Sequence, residues 1–395
     1  MNARRGRLNA AVVGGGAVGA ACALALADLG LEVALIEAQA PPPWRADRPD
    51  LRVYAFAPDN AALLQRLGVW PRVLAARAQP YRRMRVWDAA GGGELAFDAD
   101  AFGRGELGWI VEHGLLVDKL WAALSAAGVR VCCPAKVEAL EQLDDGVRLR
   151  LDDGTRVEAD LAIAADGAES SVRGLAGLGV DAHSYAQRGV VAYVRTERPH
   201  ENTAWQRFLP SGPLAFLPCA DGTSSIVWTL PEAEAARMTA MDDEAFGAAL
   251  TAAFGARLGQ TVPLTQRVAF PLRRQLVRDY AVGRVAVIGD AAHVVHPLAG
   301  QGVNLGLRDV TALCDAFEQA KPRRAEALSP QRLARWARER KSENAAAAYA
   351  FDGINRVFSN DGVAATLLRG HLLGIAGRMP MVSHGLWRRA AGLSA

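Results

Sequence analysis

At 395 residues, with 51% hydrophobic residues, 22% charged residues and 39 glycines, the chain has the composition of a packed globular protein of two or three domains and excludes a disordered one. The formal net charge is only +3 and the basic residues are scattered arginines without a Lys/Arg block, so nucleic acid is not expected as a partner. Cys22, Cys132, Cys133, Cys219 and Cys314 give neither a disulfide framework nor a zinc spacing, which fits a reducing cytoplasm. The basic start from Met1 to Asn9 runs into Gly14-Gly15-Gly16 and is not read as a signal peptide. No uninterrupted apolar run reaches the roughly 18 residues a membrane-spanning helix needs.

In chain order, Leu8 to Val13 reads as a buried strand, Ala17 to Leu29 as an Ala/Leu helix, and Leu31 to Glu37 as a second strand after the stop at Gly30. This is a βαβ opening. Pro41-Pro42-Pro43 makes the next stretch a loop before a helical pattern from Asn60 to Leu67. Met84 to Trp87 and Glu94 to Phe97 flank Gly91-Gly92-Gly93 and predict a hairpin. Leu115 to Ala127 predicts a helix, and Val129 to Cys132 and Leu161 to Ala165 predict strands that return to the first layer. Between Tyr185 and Phe270, runs of β-type residues at 190–194, 205–209, 214–217 and 225–230 predict a mostly antiparallel sheet. Arg284 to Ile288 is again a buried strand, and Gly302 to Phe317 a helix. The expected fold is α/β: a Rossmann-like nucleotide domain from residues 1–80, 101–180 and 275–330, an inserted substrate sheet from 81–100 and 181–274, and a helical region from 331–395.

Gly14-x-Gly16-x-x-Gly19 follows a strand and opens a helix, and Glu37 ends the next strand. In that context the glycines allow a tight turn and close approach to a pyrophosphate, with Ala17 and Val18 opening the helix whose free N–H groups face it, and Glu37 is placed to accept from a ribose hydroxyl. A second match, Gly103-x-Gly105-x-x-Gly108, precedes a strand-like run and is read as a loop. Asp166, in Ala165-Asp166-Gly167, and Asp290, in Gly289-Asp290-Ala291-Ala292-His293, each follow a strand and offer an acid to the extended ribityl chain of FAD. Helix capping is the plainer role for each, and the two roles can coexist. In His296-Pro297-Leu298-Ala299-Gly300-Gln301-Gly302-Val303-Asn304 a glycine-rich turn opens a helix, and a helix N-terminus there stabilises negative charge on a reduced flavin.

These residues resemble the ubiquinone-biosynthesis hydroxylases among the single-component aromatic flavin monooxygenases. The resemblance covers nearly the whole chain: Gly14 to Gly19, Glu37, Asp50-Leu51-Arg52, Leu67-Gly68-Val69-Trp70, Asp166-Gly167, Trp205-Gln206-Arg207-Phe208, and above all His296 through Asp309. It implies FAD held by Gly14, Gly16, Gly19 and Glu37, with Arg52 near the flavin and Asp290 on the ribityl chain. It also implies Gly300, Gln301, Gly302, Val303 and Asn304, after Pro297, at the ring system, and Val137 at the adenine. Asp166 lies in the motif associated with both FAD and the pyridine nucleotide. His113 departs from the pattern, which has Asn in many members, and takes no role from it.

The implied activity uses NAD(P)H and O2 to add one oxygen atom to a polyprenyl phenol or quinol. The ring is that of the 3-methyl-6-methoxy-benzoquinol intermediate, or alternatively the one hydroxylated at C5. A soluble phenol hydroxylase of aromatic catabolism and a flavin-bound scaffold without turnover are the rival readings. Candidate pocket walls are Trp205, Phe208, Phe216, Trp228 and Phe270, any of which can equally be ordinary sheet core. His293 and His296 lack a third ligand nearby, so no metal is expected, and no side-chain acid or base is assigned. Arg369, His371, Arg378, Arg388 and Arg389 among apolar residues suggest a tail that lies on a membrane surface or a partner of a biosynthetic complex, or simply a surface helix.

Overall fold

A computed structural model describes residues 7–89, 93–296, 302–319 and 329–358, together with Gly385, Arg388, Ala391 and Gly392. Pro297, Gly300, Gln301 and most of the basic tail lie outside the described residues.

Short, wholly apolar segments dictate the first sheet. Val33–Ile36 and Val285–Val287 are buried at every position, the pattern of parallel strands covered on both faces. Along the sheet the order is Ala281–Val282, Val285–Val287, Arg156–Ala164, Leu8–Val13, Val33–Ile36 and Arg130–Cys132. All neighbours are parallel except the first pair, and Val12 lies between Ile163 and Leu35. An antiparallel pair, Val137–Gln142 and Val147–Leu151, hangs on the 156–164 strand. Helix Ala17–Asp28 is buried on nearly every face because it is sandwiched between this sheet and helices His113–Leu124 and Gly302–Glu318. Its alanines are small enough for that three-sided approach.

The second sheet runs His293–Val294, Val268–Val277, Val180–Thr196, Ser224–Pro231, Gly212–Pro218, Thr203–Leu209, Arg83–Asp88 and Glu94–Asp98, with Thr261–Pro263 beside the long 180–196 strand. It is antiparallel apart from the junction of 203–209 with 83–88. Strict alternation divides its residues between two faces. On one face Phe216, Trp228 and Leu230 pack beneath helices Glu232–Ala240 and Asp243–Ala253. The other face borders a cavity. These two helices, helix Trp70–Arg77, and the strands Val53–Phe56 and Gln79–Tyr81 that flank the strand-like run at Gly108–Glu112 were not anticipated from sequence, being short and weakly periodic.

The chain crosses between the sheets at one place that matters for function. Val285–Val287 belongs to the first sheet and His293–Val294 to the second, so the Gly289–Ala291 turn sits at their junction.

Candidate active site

The glycine-rich turn is built for close approach. Gly14 has φ +104°, and a Cβ there would meet the Ala165 carbonyl oxygen at 2.3 Å; one on Gly19 would meet the Gly14 carbonyl oxygen at 1.9 Å. At Gly16 the space is open. Helix Ala17–Asp28 has no side-chain cap and no acidic residue in its first turn, so its leading N–H groups remain available to a phosphate. Trp121, which sequence reasoning missed, holds the turn from behind by donating from Nε1 to the Gly15 carbonyl at 2.7 Å. Glu37 accepts from the Gly15 and Gln39 amides, which fixes the carboxylate at the edge of the cleft.

That cleft encloses about 560 Å³ and is lined by Gly14, Gly16, Ala17, Val18, Glu37, Arg52, Val137, Asp166, Asp290 and Val303, among others. Ten residues singled out from sequence thus converge from seven places along the chain. Gly19 lies behind the wall as the packing contact just described. Asn304 lines neither this cleft nor its neighbour: it is fully buried, accepts from Ala57 N at 3.0 Å and Asn60 Nδ2 at 2.9 Å, and donates to Ala55 O at 2.8 Å, tying the start of helix Gly302–Glu318 to the 53–58 turn. Gly302 lines the neighbouring cavity.

Asp166 performs its capping role, accepting from Ser170, from Ser171 Oγ at 3.1 Å and from Val172 N at 3.2 Å, while still facing the cleft. Arg173, buried, donates to the Ala291 carbonyl at 2.9 Å and so fixes the Asp166 loop against the Asp290 turn. Asp290 faces Arg52 at 3.7 Å. Both side chains keep about half of their surface free, so this pair is weak and open to exchange for a ligand. The Arg52 guanidinium lies 5.4 Å above the Tyr54 ring, and Tyr54 shares a 2.7 Å hydrogen bond with His113 Nδ1. Burial, and then the Arg52 charge, lower the pKa of His113 below its ordinary value. His113 therefore sits in the cleft wall as part of the support for Arg52.

A second cavity of about 770 Å³ opens on the free face of the second sheet. Its wall is mostly aliphatic: Met84, Ala215, Leu217, Val227, Val191 and Leu272. Arg52, Tyr54, Asp290 and Val303 line both spaces, so the two cavities meet at these four residues. Of the aromatic candidates, Trp205 and Phe270 line this cavity, while Phe208, Phe216 and Trp228 do not. Alternation explains the correction for Phe216 and Trp228, which point into the core under the two helices. Phe208 packs in a separate cluster with Val86 and Leu95.

His296 is in the wall of the same cavity, almost wholly buried, and neither ring nitrogen has a hydrogen-bond partner among the described residues. Burial lowers its pKa to about 4, so the imidazole is neutral at physiological pH. Its ring lies edge-on to Tyr185 at 5.1 Å. His293 instead pairs at 2.6 Å with Asp309, which also accepts from Gly289 N at 3.1 Å, Arg340 Nε at 2.8 Å and Asn344 Nδ2 at 2.9 Å. Opposed by complete burial, these partners still bring the Asp309 pKa down to about 2. The hub joins the Asp290 turn to helix Pro330–Phe358, and nothing in the spacing of Asp309, Arg340 and Asn344 announced it.

The glycine turn, the capless helix and the two acids at strand ends suit an adenine dinucleotide, and the largely apolar cavity that meets this cleft suits an apolar organic substrate. With the family model and the relatives that follow, the class is that of an FAD-dependent aromatic-ring hydroxylase. The FAD binding domain family matches residues 7–349. The chain is 42% identical over 313 residues to the 3-demethoxyubiquinol 3-hydroxylase of Escherichia coli K12, covering 79% of this chain and 80% of that one. It is 36% identical over 383 residues to the ubiquinone hydroxylase UbiL of Rhodospirillum rubrum, covering 96% and 89%, and 34% identical to human COQ6, the mitochondrial ubiquinone biosynthesis monooxygenase, covering 91% and 87%. Among solved structures, p-nitrophenol 4-monooxygenase PnpA of Pseudomonas putida superposes with a TM-score of 0.78 over 98% of both chains at 21% identity, which speaks to the fold alone. The chain belongs to the ubiquinone-biosynthesis hydroxylases of the single-component FAD-dependent aromatic monooxygenases.

Proposed function

We propose that the protein hydroxylates the aromatic ring of a polyprenyl quinol in ubiquinone biosynthesis, acting on a demethoxyubiquinol-type ring, the kind named for the Escherichia coli relative. The observation that carries this reading is the large, mostly aliphatic cavity that meets the cofactor cleft at Arg52, Tyr54, Asp290 and Val303. An apolar chamber of that size suits a ring with a prenyl tail and excludes water from the reacting face.

In this reading Gly14, Gly16, Ala17 and Val18 receive the pyrophosphate, with Gly19 packed behind them, Glu37 the ribose and Val137 the adenine. Asp166 and Asp290 face the ribityl chain, with Arg52 at the ring system. Pro297, Gly300, Gln301, Gly302 and Val303 are assigned to the flavin by the family resemblance, with Asn304 clamping the helix start from behind. FAD, reduced by NAD(P)H, supplies the activation of O2. The chain's own part is to hold the cofactor edge against the substrate chamber, to keep that chamber dry with mostly aliphatic walls, and to present neutral His296 and Tyr54 there.

Peripheral attachment to a membrane or to a biosynthetic complex fits the same substrate. Val268 and Phe270, which line the cavity, are themselves partly exposed, and Val262 and Leu264 nearby in the chain are exposed as well, an apolar rim suited to receiving a lipid-borne ring. Among the described residues no helix is long and apolar enough to cross a membrane. The test is turnover of a short-chain prenylated demethoxyquinol by the FAD-loaded protein with NAD(P)H in air, with product identified by mass and fragmentation. A product heavier by one oxygen, at the unsubstituted carbon beside the methoxy group, supports the reading. Hydroxylation at a different position, or a preference for small unprenylated phenols, overturns it.

A further inference from the structure

The free face of the second sheet holds one polar side chain in an unexpected place. Register sets Gln206 beside Ala215, Ala215 beside Val227, Val227 beside Val191 and Val191 beside Val268, one row across five strands. All five residues line the cavity. Laterally paired residues project to the same face of a sheet, so the Gln206 amide stands in a row otherwise made of an alanine and three valines.

Gln206 is only 8% exposed, yet its side chain makes no hydrogen bond to a described residue, and it is not among the polar groups sealed away from open space. What surface its amide keeps belongs to the cavity. Gln275, 4% exposed in the same sheet, shows the ordinary solution: its amide donates to the Ala168 carbonyl at 2.8 Å. An amide facing a largely apolar cavity without a protein partner is satisfied when a ligand brings one.

The ligand chemistry follows from the group. An amide is neutral and offers a donor and an acceptor side by side, which matches a ring hydroxyl and a neighbouring methoxy oxygen: the hydroxyl donates to Oε1 and the methoxy oxygen accepts from Nε2. The row in which the amide stands carries no charged group, so Gln206 itself suits neutral ring oxygens better than a carboxylate.

We propose that Gln206 binds the adjacent hydroxyl and methoxy oxygens of the substrate ring and thereby selects which ring carbon faces the cofactor. This rests on the quinol reading above. It makes Gln206 a substrate-orienting residue that discriminates between rings with and without the methoxy group.

The test compares wild type with Gln206→Leu and the more nearly isosteric Gln206→Met, each FAD-loaded, on two short-chain prenylated quinols that differ only in the methoxy group. For each, kcat/KM and the fraction of NAD(P)H oxidised that yields hydroxylated product are measured. The expected result is a loss of about tenfold in kcat/KM on the methoxy quinol, the usual effect of one well-placed neutral hydrogen bond or two. Coupling should fall with it, the loss on the other ring should stay under about twofold, and flavin content should be unchanged. Gln206→His, which keeps a donor and an acceptor, should recover part of the difference. Equal losses on both rings, or no loss, in variants that retain flavin would overturn the assignment of Gln206 alone. A wild-type enzyme that hydroxylates neither ring would overturn the quinol reading and this assignment together.

Discussion

The two sheets carry their chemistry in different ways. In the parallel sheet it lies beyond the strand ends: Gly14 after Leu8–Val13, Asp166 after Arg156–Ala164 and Asp290 after Val285–Val287, all at the carboxyl edge where such sheets bind ligands. In the antiparallel sheet it lies on a face, on every second residue of several strands. A loop-borne site depends on backbone geometry that few residues can supply. A face-borne site depends on volume and polarity, which many residues supply, so it is more easily altered without losing the fold.

The largest effect expected from this contrast is on the loop side. Gly19→Val would drive a side chain into the Gly14 carbonyl, where even a Cβ sits at 1.9 Å. Backbone has to move, at a cost of about 4 kcal/mol or more. The purified variant should carry no flavin, as read from its absorbance. Stoichiometric flavin would show that the turn tolerates a shift and that the contrast is overstated.

Nearly as large is the loss of the hub behind the Asp290 turn. Asp309→Ala leaves the buried Arg340 guanidinium and His293 without their common partner, which costs about 3–5 kcal/mol by the behaviour of broken buried ion pairs. Urea unfolding measures it. A change under about 1 kcal/mol would mean that the strand end and helix Pro330–Phe358 are held together by packing alone.

His296 gives an effect of about 3 kcal/mol that depends on pH. Its folded pKa of about 4 lies below the ordinary 6.5, because burial opposes the charged form while Asp352 only partly compensates. Above 6.5 both folded and unfolded imidazoles are neutral and the difference is silent. As pH falls from 6.5 towards 4 the unfolded chain takes up a proton that the folded chain refuses, and stability is lost. The lowered pKa values of His113 and His200 act in the same direction. Charged and titratable groups around His296 are Tyr185 on the sheet and Asp352 on the long helix, with Tyr185 donating to Asp352 and Arg274 paired to it. Unfolding free energies at pH 7 and pH 4.5 should converge in His296→Gln relative to wild type, and parallel profiles would show that His296 does not titrate as argued.

Legibility in the sequence follows the same division. Strand, glycine turn, helix and acid stand close together along the chain, so the Gly14 to Glu37 unit could be read as one motif, and Asp166 and Asp290 each sit beside a recognisable strand. Alternation in 205–209, 214–217 and 225–230 predicted strands but not which face each residue would take, because that depends on register with strands far away in the chain. Hence Phe216 and Trp228 resembled pocket walls as much as Trp205 and Phe270 did, although they are core. Gln206 was invisible as a site residue for the same reason: an isolated polar residue in a strand reads as solvent-facing until its row is known. Asn304 was legible as part of a motif but not as a structural clamp, since Ala55, Ala57 and Asn60 lie some 250 residues away. Gly306 shows the same limit: a Cβ there would meet Val18 at 2.6 Å, a close packing of two helices that no local pattern records.

The smallest predicted effect sharpens the comparison most. Ala215 is at the middle of the cavity row, with its side chain towards the chamber and its backbone fixed between Gln206 and Val227. Because the added volume of Ala215→Phe extends into open space, the sheet should keep its stability to within about 1 kcal/mol, unlike a true core position where overpacking is costly. The cofactor cleft does not include this residue, so flavin content and its reduction by NAD(P)H in the absence of substrate should be unchanged. Only the quinol should feel the change, through a rise of about tenfold in KM and more NAD(P)H oxidised per product formed, equivalent to about 1.4 kcal/mol of lost binding. Titration with a short-chain quinol measures all three quantities on one preparation. If flavin were lost as well, the face and the cleft would be coupled through the backbone, and the separation of a loop-borne cofactor site from a face-borne substrate site would fail.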